Sequence, residues 1–333
     1  MLVMGLEKIT IDSEKGIGLV LSGGGGRAAY QVGVIKALKE REINFQLVAG
    51  TSSGALNGAL VASDRIEKMM EIWENINPFK VMGINPLNFM NGYLMSTKPL
   101  EKLIRDGIDR EAAKKIIESP TKLMIISSDL KTKKAVIHEN FRTYEEIIHS
   151  LLSSTAIPLA FPFQRLLNEK EEEKVLMQLI DGGVINNFPI KEAIETDSCK
   201  TFFTISLYTP ELSKVENKKW EHNDLMNILM RTLDVLFTNS YVKEISAVKE
   251  KIELANSFKK IIGKDFYFSG SKRKAREAYV KHLEVYEGQK IIEINPKKEL
   301  PLDLMDFFSE KAKKAIAIGY EDASKVLENV IIK

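Results

Sequence analysis

The stretch VAGTSSGALNGAL, residues 48–60, decides how this chain folds and where its chemistry sits. A short apolar run, Leu47 to Ala49, stops at Gly50, and small helix formers, Ala55, Leu56, Ala59 and Leu60, begin after Gly54. The order predicts strand, sharp turn and helix. Gly50, Ser52 and Gly54 hold the fixed places of a G-x-S-x-G pattern. Glycines on either side let the chain turn tightly enough to hold Ser52 in a strained conformation with its Oγ exposed. The helix N-terminus beneath it offers unpaired N–H groups and a positive dipole end, which favour a developing oxyanion. A serine-rich cap on a buried helix has the same appearance. Chemistry at Ser52 therefore requires a base and a second oxyanion donor from elsewhere in the chain.

Immediately upstream, residues 17–22, IGLVLS, form the continuous apolar run of a strand buried on both faces. Gly23 to Gly26 follow, and then RAAYQVGVIKALKEREI, in which Tyr30, Val34, Ile35 and Leu38 recur at helical spacing. Together with the Ser52 unit this is a βαβα start, with parallel strands. The glycine loop has two readings. As Gly23-x-Gly25-x-x-Ala28 it fits a dinucleotide fingerprint that cradles a pyrophosphate at a helix N-terminus. Alternatively, its N–H groups serve as an anion hole for an ester oxyanion at Ser52. The dinucleotide reading wants an acidic residue about 20 positions on, closing the second strand. Leu47-Val48-Ala49-Gly50 stands there, and Glu40 and Glu42 come too early.

Downstream, Asp64 to Asn75 has helical spacing, residues 78–97 are rich in Met, Phe, Gly and Asn without a clear period, and 99–118 suggest two short helices. The 78–97 stretch fits either an irregular connection or an adaptable apolar rim for an acyl chain. KLMIISS, 122–128, and AVIHEN, 135–140, are strand candidates, followed by a helix from Tyr144 to Leu152. Pro158 and Pro162 exclude a regular helix through SSTAIPLAFPF, 153–163. Phe163 to Leu167 and Val175 to Ile180 flank the polar tip NEKEEEK as a hairpin. Asp181 closes its second strand before Gly182 and Gly183, where backbone can approach another element. A strand at 201–207, a long amphipathic pattern from 224 to 262, a strand at 290–294 and a helix from about Asp303 to Leu327 complete the chain.

Composition narrows the possibilities. A chain of 333 residues with 44% hydrophobic and 28% charged content can bury a large core. A formal net charge of +2 gives no global pull toward nucleic acid. The single cysteine, Cys199, excludes an intrachain disulfide framework and any cysteine-based metal site. No signal-peptide core and no run of roughly 18 apolar residues is present, which predicts a soluble cytoplasmic protein. Lysines and arginines crowd residues 256–281, either as a solvated helix face or as a patch for anionic lipid at a membrane surface. With no linker rich in Pro, Gly or Ser, a single domain over 1–333 is expected.

Four blocks in order, SGGGGRAAYQVGVIKAL, GTSSGALNGAL, SSTAIPLAFPF and DGGVINNFPI, closely resemble the patatin-like phospholipase family. The likeness is clear over about residues 17–210. It implies an α/β, three-layer fold with a central, largely parallel sheet and helices on both faces. Ser52 is then the nucleophile and Asp181 the general base, a dyad without histidine. Gly24, Gly25 and Gly26 line the oxyanion hole, Arg27 takes the positively charged position, and Gly23, Gly50, Gly54, Gly182 and Gly183 support the motifs. Ala28 departs from the family's usual glycine after the arginine. The implied activity is acyl-ester hydrolysis on lipids, with no cofactor or metal required in most members.

Rival readings remain at this stage. A Ser-Asp-His triad could recruit His222 or His282, in the chain order of an α/β-hydrolase; His138 and His149 precede Asp181 and fit no such order. A non-enzymatic nucleotide- or phosphate-binding module would use the Gly23 to Gly26 loop. Acyl transfer to an alcohol or amine shares the same acyl-enzyme.

Overall fold

The computed structural model describes residues 8–84, 93–168, 175–196, 199–209, 225–262 and 280–333. After β1 (Ile9–Ile11), the opening units are β2 (Ile17–Leu21), α1 (Ala29–Glu40), β3 (Leu47–Thr51) and α2 (Ser53–Ala62). Every residue of β2 and β3 is buried, as their unbroken apolar runs require of central parallel strands. Next come α3 (Ile66–Glu74), α4 (Pro78–Val81), β4 (Gly83–Ile84), β5 (Met95–Ser96), α5 (Lys98–Gly107) and α6 (Arg110–Glu118). Pro78 and Pro99 sit in the first turns of α4 and α5, where a missing N–H costs nothing. Residues 85–92, the middle of the Met- and Phe-rich stretch, lie outside the described residues.

The second half of the sheet is supplied by β6 (Lys122–Asp129) and β7 (Lys134–His138), then, past α7 (Tyr144–Ser154), by β8 (Gln164–Asn168) and β9 (Val175–Asp181). After α8 (Ile190–Thr196) come β10 (Thr201–Ile205), α9 (Leu225–Ile262), β11 (Lys290–Ile294), α10 (Ser309–Leu327) and β12 (Val330–Ile332). Among the described residues the main sheet has eight strands in the order β11-β10-β2-β3-β6-β9-β8, with β7 also paired to β6. From β11 to β6 all pairings are parallel; β7, β8 and β9 join antiparallel. Helices surround the sheet, with α2 and α7 against β6, α8 against β2 and β3, and α10 along α1. The first and last strands, β1 and β12, pair with each other in parallel.

Two sequence expectations need correction. The helix expected from about Asp303 starts only at Ser309. Residues 303–308 instead run as an irregular strap across the glycine loop, where the Leu304 carbonyl accepts a hydrogen bond from the Gly26 N–H at 3.1 Å. A carbonyl turned toward the loop is lost to the helical ladder, so the apolar spacing of this stretch buries Leu304 and Phe307 without forming a helix. Similarly, α1 begins two residues later than Arg27, after one 3₁₀ turn over Gly25–Ala28. Cys199 is buried, as a small core residue. No helix of the described residues is long and apolar enough to cross a membrane. His222, the acidic hairpin tip 169–174 and most of the basic stretch, residues 263–279, fall outside the described residues.

Candidate active site

The end of β3 and the start of α2 meet at Ser52, whose φ of 53 and ψ of −127 lie where side chains are seldom found. Such a conformation costs on the order of 1–3 kcal/mol and persists only when its surroundings impose it. Here they do. The Ser52 N–H donates to Ser154 Oγ at 2.8 Å, and Ser154 Oγ donates to the Ile126 carbonyl at 2.6 Å, which ties the turn to α7 and β6. Thr51 Oγ1 donates to the Asn186 carbonyl at 3.0 Å. A Cβ on Gly50 would stand 2.5 Å from the Gly54 carbonyl oxygen, and one on Gly54 2.5 Å from that of Ser22. Both glycines are therefore required by close approach.

Asp181, at the end of β9, faces Ser52. Its Oδ2 accepts the Ser52 Oγ–H at 2.6 Å, and its Oδ1 accepts the Gly183 N–H at 2.8 Å. The carboxyl is fully buried. Burial pushes its pKa up to about 7, against the opposing pull of the Ser52 and Gly183 hydrogen bonds. Gly182 packs its Cα against the Ile126 carbonyl, where any side chain would collide. Ser52 hydrogen-bonds to the carboxylate directly, with no imidazole between them. His138 is engaged with Ser127 Oγ at 2.7 Å, and His282 lies 3.8 Å from Glu195.

The four residues expected around an oxyanion divide. The Gly25 N–H has no acceptor among the described residues, and Gly25 lines the cleft together with Ser52 and Ser53. The Gly24 N–H is held by Ser53 Oγ at 3.2 Å. The Gly26 N–H is committed to Leu304, and the Arg27 N–H to the Gly24 carbonyl at 3.2 Å. The Arg27 side chain turns away to Asp234 of α9 at 2.6 Å, its guanidinium 5.4 Å from the centre of the Tyr208 ring. Gly23 is pinned from the other side. Its N–H donates to the Asn187 carbonyl at 3.3 Å, and its own carbonyl accepts from Asn187 Nδ2 at 3.2 Å. At Gly25 (φ 55) and Gly26 a Cβ would collide with the carbonyls of Leu304 and Asp306. The Gly26 N–H, one of the donors a pyrophosphate would use, is already taken by the Leu304 carbonyl.

From Ser52 an apolar cleft runs along α2 past Leu56 and Leu60, enclosed by Trp73 of α3, Ile104 and Gly107 of α5, and Met305 and Phe307 of the strap. It holds ≈ 780 Å³ of space free of atoms, its open mouth included. Asn57, a polar residue of its wall, is occupied. Asn57 Nδ2 donates to the Ala28 carbonyl at 3.1 Å and to Gln31 Oε1 at 2.9 Å, while Trp73 Nε1 donates to Asn57 Oδ1 at 2.9 Å. Among the described residues no group of three or more His, Cys, Asp or Glu side chains is arranged to hold a metal ion.

Sequence reasoning assigned no role to Ser154, Asn187, Asp234 or the strap. Ser154 and Asn187 lie inside quoted blocks, SSTAIPLAFPF and DGGVINNFPI, so their position within a motif was an available signal. Asp234 and residues 303–308 carry no local signal, because they reach the site only through the fold.

Comparison with known proteins finds relatives of part of the chain. The neuropathy target esterase sws of Drosophila sechellia is 29% identical over 178 residues, 52% of this chain and 11% of that protein. The lysophospholipase nte1 of Aspergillus terreus is 58% identical over 50 residues, 15% of this chain and 3% of that one. The chain thus spans only a small part of the length of the curated relatives it matches. Among solved structures, VipD from Legionella pneumophila superposes with a TM-score of 0.47 and 17% identity, covering 94% of this chain and 67% of that one. The model of the patatin-like phospholipase family matches residues 19–194. That run is more than half of the chain and takes in the glycine loop, the Ser52 turn and Asp181, so this protein belongs to the patatin-like phospholipase family.

Proposed function

We propose that this protein hydrolyses carboxylic ester bonds of lipids through Ser52 and Asp181. The observation that carries the reading is the 2.6 Å hydrogen bond from Ser52 Oγ to Asp181 Oδ2 at the head of an apolar cleft. A serine hydroxyl needs an adjacent base. Asp181 takes the Ser52 proton as Oγ bonds to the ester carbonyl carbon, and the oxyanion is received by the free N–H of Gly25 and the N–H of Ser53 at the start of α2. Collapse of the intermediate breaks the ester C–O bond, and the alcohol leaves with the proton held by Asp181. Water then gives a proton to Asp181 while its oxygen attacks the acyl-enzyme; the acid departs and Ser52 recovers its proton.

The apolar cleft suits a fatty acyl chain, which supports lipid esters such as phospholipids and lysophospholipids as substrates. Such esters are met at a lipid surface, for which the basic stretch 256–281 is the sequence feature that would make peripheral contact. The strap also supports a single domain over the whole chain, since residues 303–308 lie beyond the matched run yet hold the glycine loop. The test is labelling by a fluorophosphonate probe. Wild type and Ser53→Ala take the label and Ser52→Ala does not; labelling of Ser52→Ala at the wild-type rate would reject the assignment.

A further inference from the structure

Gly107 is the last residue of α5, and its environment departs from what a glycine at a helix end normally serves. Helix-terminal glycines usually mark a left-handed cap. Gly107 is not in the left-handed region, so its backbone would accept any L residue. What the glycine supplies is space. A Cβ there would lie 3.1 Å from Ile72 Cδ1 and 3.5 Å from Leu60 Cδ2, in the cleft where α2, α3 and α5 meet. Leu60 is eight residues beyond Ser52, about 12 Å along α2 at the helical rise. Leu60 is thus the α2 residue of the cleft lining farthest along the helix from Ser52. Beyond the end of α2, Arg65 pairs with Asp109 at 2.8 Å, which ties the turn before α3 to the turn before α6.

We infer that Gly107, with Leu60 and Ile72, forms the floor of the acyl cleft and sets the longest chain the enzyme accommodates. This rests on the acyl-ester reading above. A side chain at Gly107 enters the space between Ile72 and Leu60 and displaces the terminal methyl and methylenes of a long chain, while a short chain never reaches it. The floor is a matter of side-chain tips, so its depth changes in graded steps.

The test compares nitrophenyl esters from butanoyl to hexadecanoyl on wild type, Gly107→Ala, Gly107→Val and Ile72→Ala. In parallel, the corresponding free fatty acids compete with a fluorescent fatty acid for binding. For Gly107→Val the ratio of long-chain to short-chain kcat/KM falls, by about fourfold for each methylene excluded, and the preferred acid shortens. Gly107→Ala moves the same way by less. Ile72→Ala deepens the cleft and shifts the preference toward longer chains, which keeps the inference testable if a valine at 107 impairs folding. An unchanged profile, or an equal fall at every chain length with Ile72→Ala also unchanged, overturns the floor. Absence of turnover in wild type with a chain-length shift in acid binding would overturn the catalytic reading and leave the floor standing. No fatty acid bound by wild type overturns both.

Discussion

The two ends of the cleft are built on different principles. At the Ser52 end the geometry is set by backbone: a turn held by Ser154, a glycine loop clamped between the Asn187 and Leu304 carbonyls, and a carboxylate fixed by the Gly183 N–H. At the Gly107 end it is set by the tips of Leu60 and Ile72 reaching from separate helices. Backbone hydrogen bonds and collisions tolerate almost no displacement, whereas packed side-chain tips yield by fractions of an ångström. Changes at the first end should therefore act nearly all-or-none on turnover. Those at the second should re-rank substrates.

The largest effect is expected from Asp181→Asn. An amide cannot take the Ser52 proton, and removal of a positioned base costs up to about 10⁴-fold in kcat. The same substitution should stabilise the protein at neutral and alkaline pH. Asp181 titrates near 7 in the folded chain, against an ordinary value of 3.8. Between those values the folded state holds a proton that the unfolded state has released, so wild-type stability falls as pH rises, by up to about 1.4 kcal/mol per unit, and levels off above 7. The variant escapes that loss. Its advantage in denaturant unfolding should be full at pH 8 and vanish toward pH 4. An equal or lower stability at pH 8 would mean that the carboxylate is better compensated than its burial indicates. For wild type, kcat/KM should climb about tenfold per unit below pH 7 and reach a plateau above it, as a base that must be ionised requires. A profile flat from pH 5 to 8 would contradict that role.

The same contrast explains what could be read from the sequence. Gly50, Ser52 and Gly54 are legible because a backbone-defined turn needs particular residues at fixed spacing. Asp181 with Gly182 and Gly183 is legible for the same reason at a strand end. The parallel pairing of β2 and β3 followed from the strand, loop, helix, strand order of the opening units. Residues 303–308 were read as the start of the last helix, and nothing local announces that Gly26 will capture a carbonyl of that segment. Gly25 and Gly26 were grouped with Gly24 as equivalent donors. Their different fates depend on a strap some 280 positions away. The floor was illegible altogether, since Leu60, Ile72 and Gly107 belong to three helices and share no pattern.

Intermediate effects should come from the clamp on the glycine loop. Gly25→Ala brings a Cβ onto the Leu304 carbonyl and forces the loop or the strap aside. Misplacing one oxyanion donor costs about 10²-fold or more in kcat, and KM should change far less. Ser154→Ala leaves the Ser52 N–H and the Ile126 carbonyl unpaired in a buried turn, for about 1–3 kcal/mol of stability. Denaturant midpoints and steady-state kinetics on both variants would measure this. If Gly25→Ala altered only chain-length preference, the backbone-defined end would have been misassigned.

The smallest effect expected on turnover is the one that best probes the boundary between the two ends. Trp73 walls the cleft with its ring and donates its indole N–H to Asn57, which in turn holds the Ala28 carbonyl and Gln31; Gln31 Nε2 donates to the Ser22 carbonyl at the root of the glycine loop. Trp73→Phe keeps an aromatic wall and removes the donor, leaving Asn57 Oδ1 buried and unpaired. Stability should drop by about 1–3 kcal/mol, and kcat by a few-fold as the network bracing the loop loosens, while the long-to-short ester ratio stays within about twofold because little apolar area changes. A shift in chain preference without loss of kcat would show that Trp73 belongs with the floor. A fall in kcat at constant preference would place it with the backbone-defined end, joined to the glycine loop through Asn57 and Gln31.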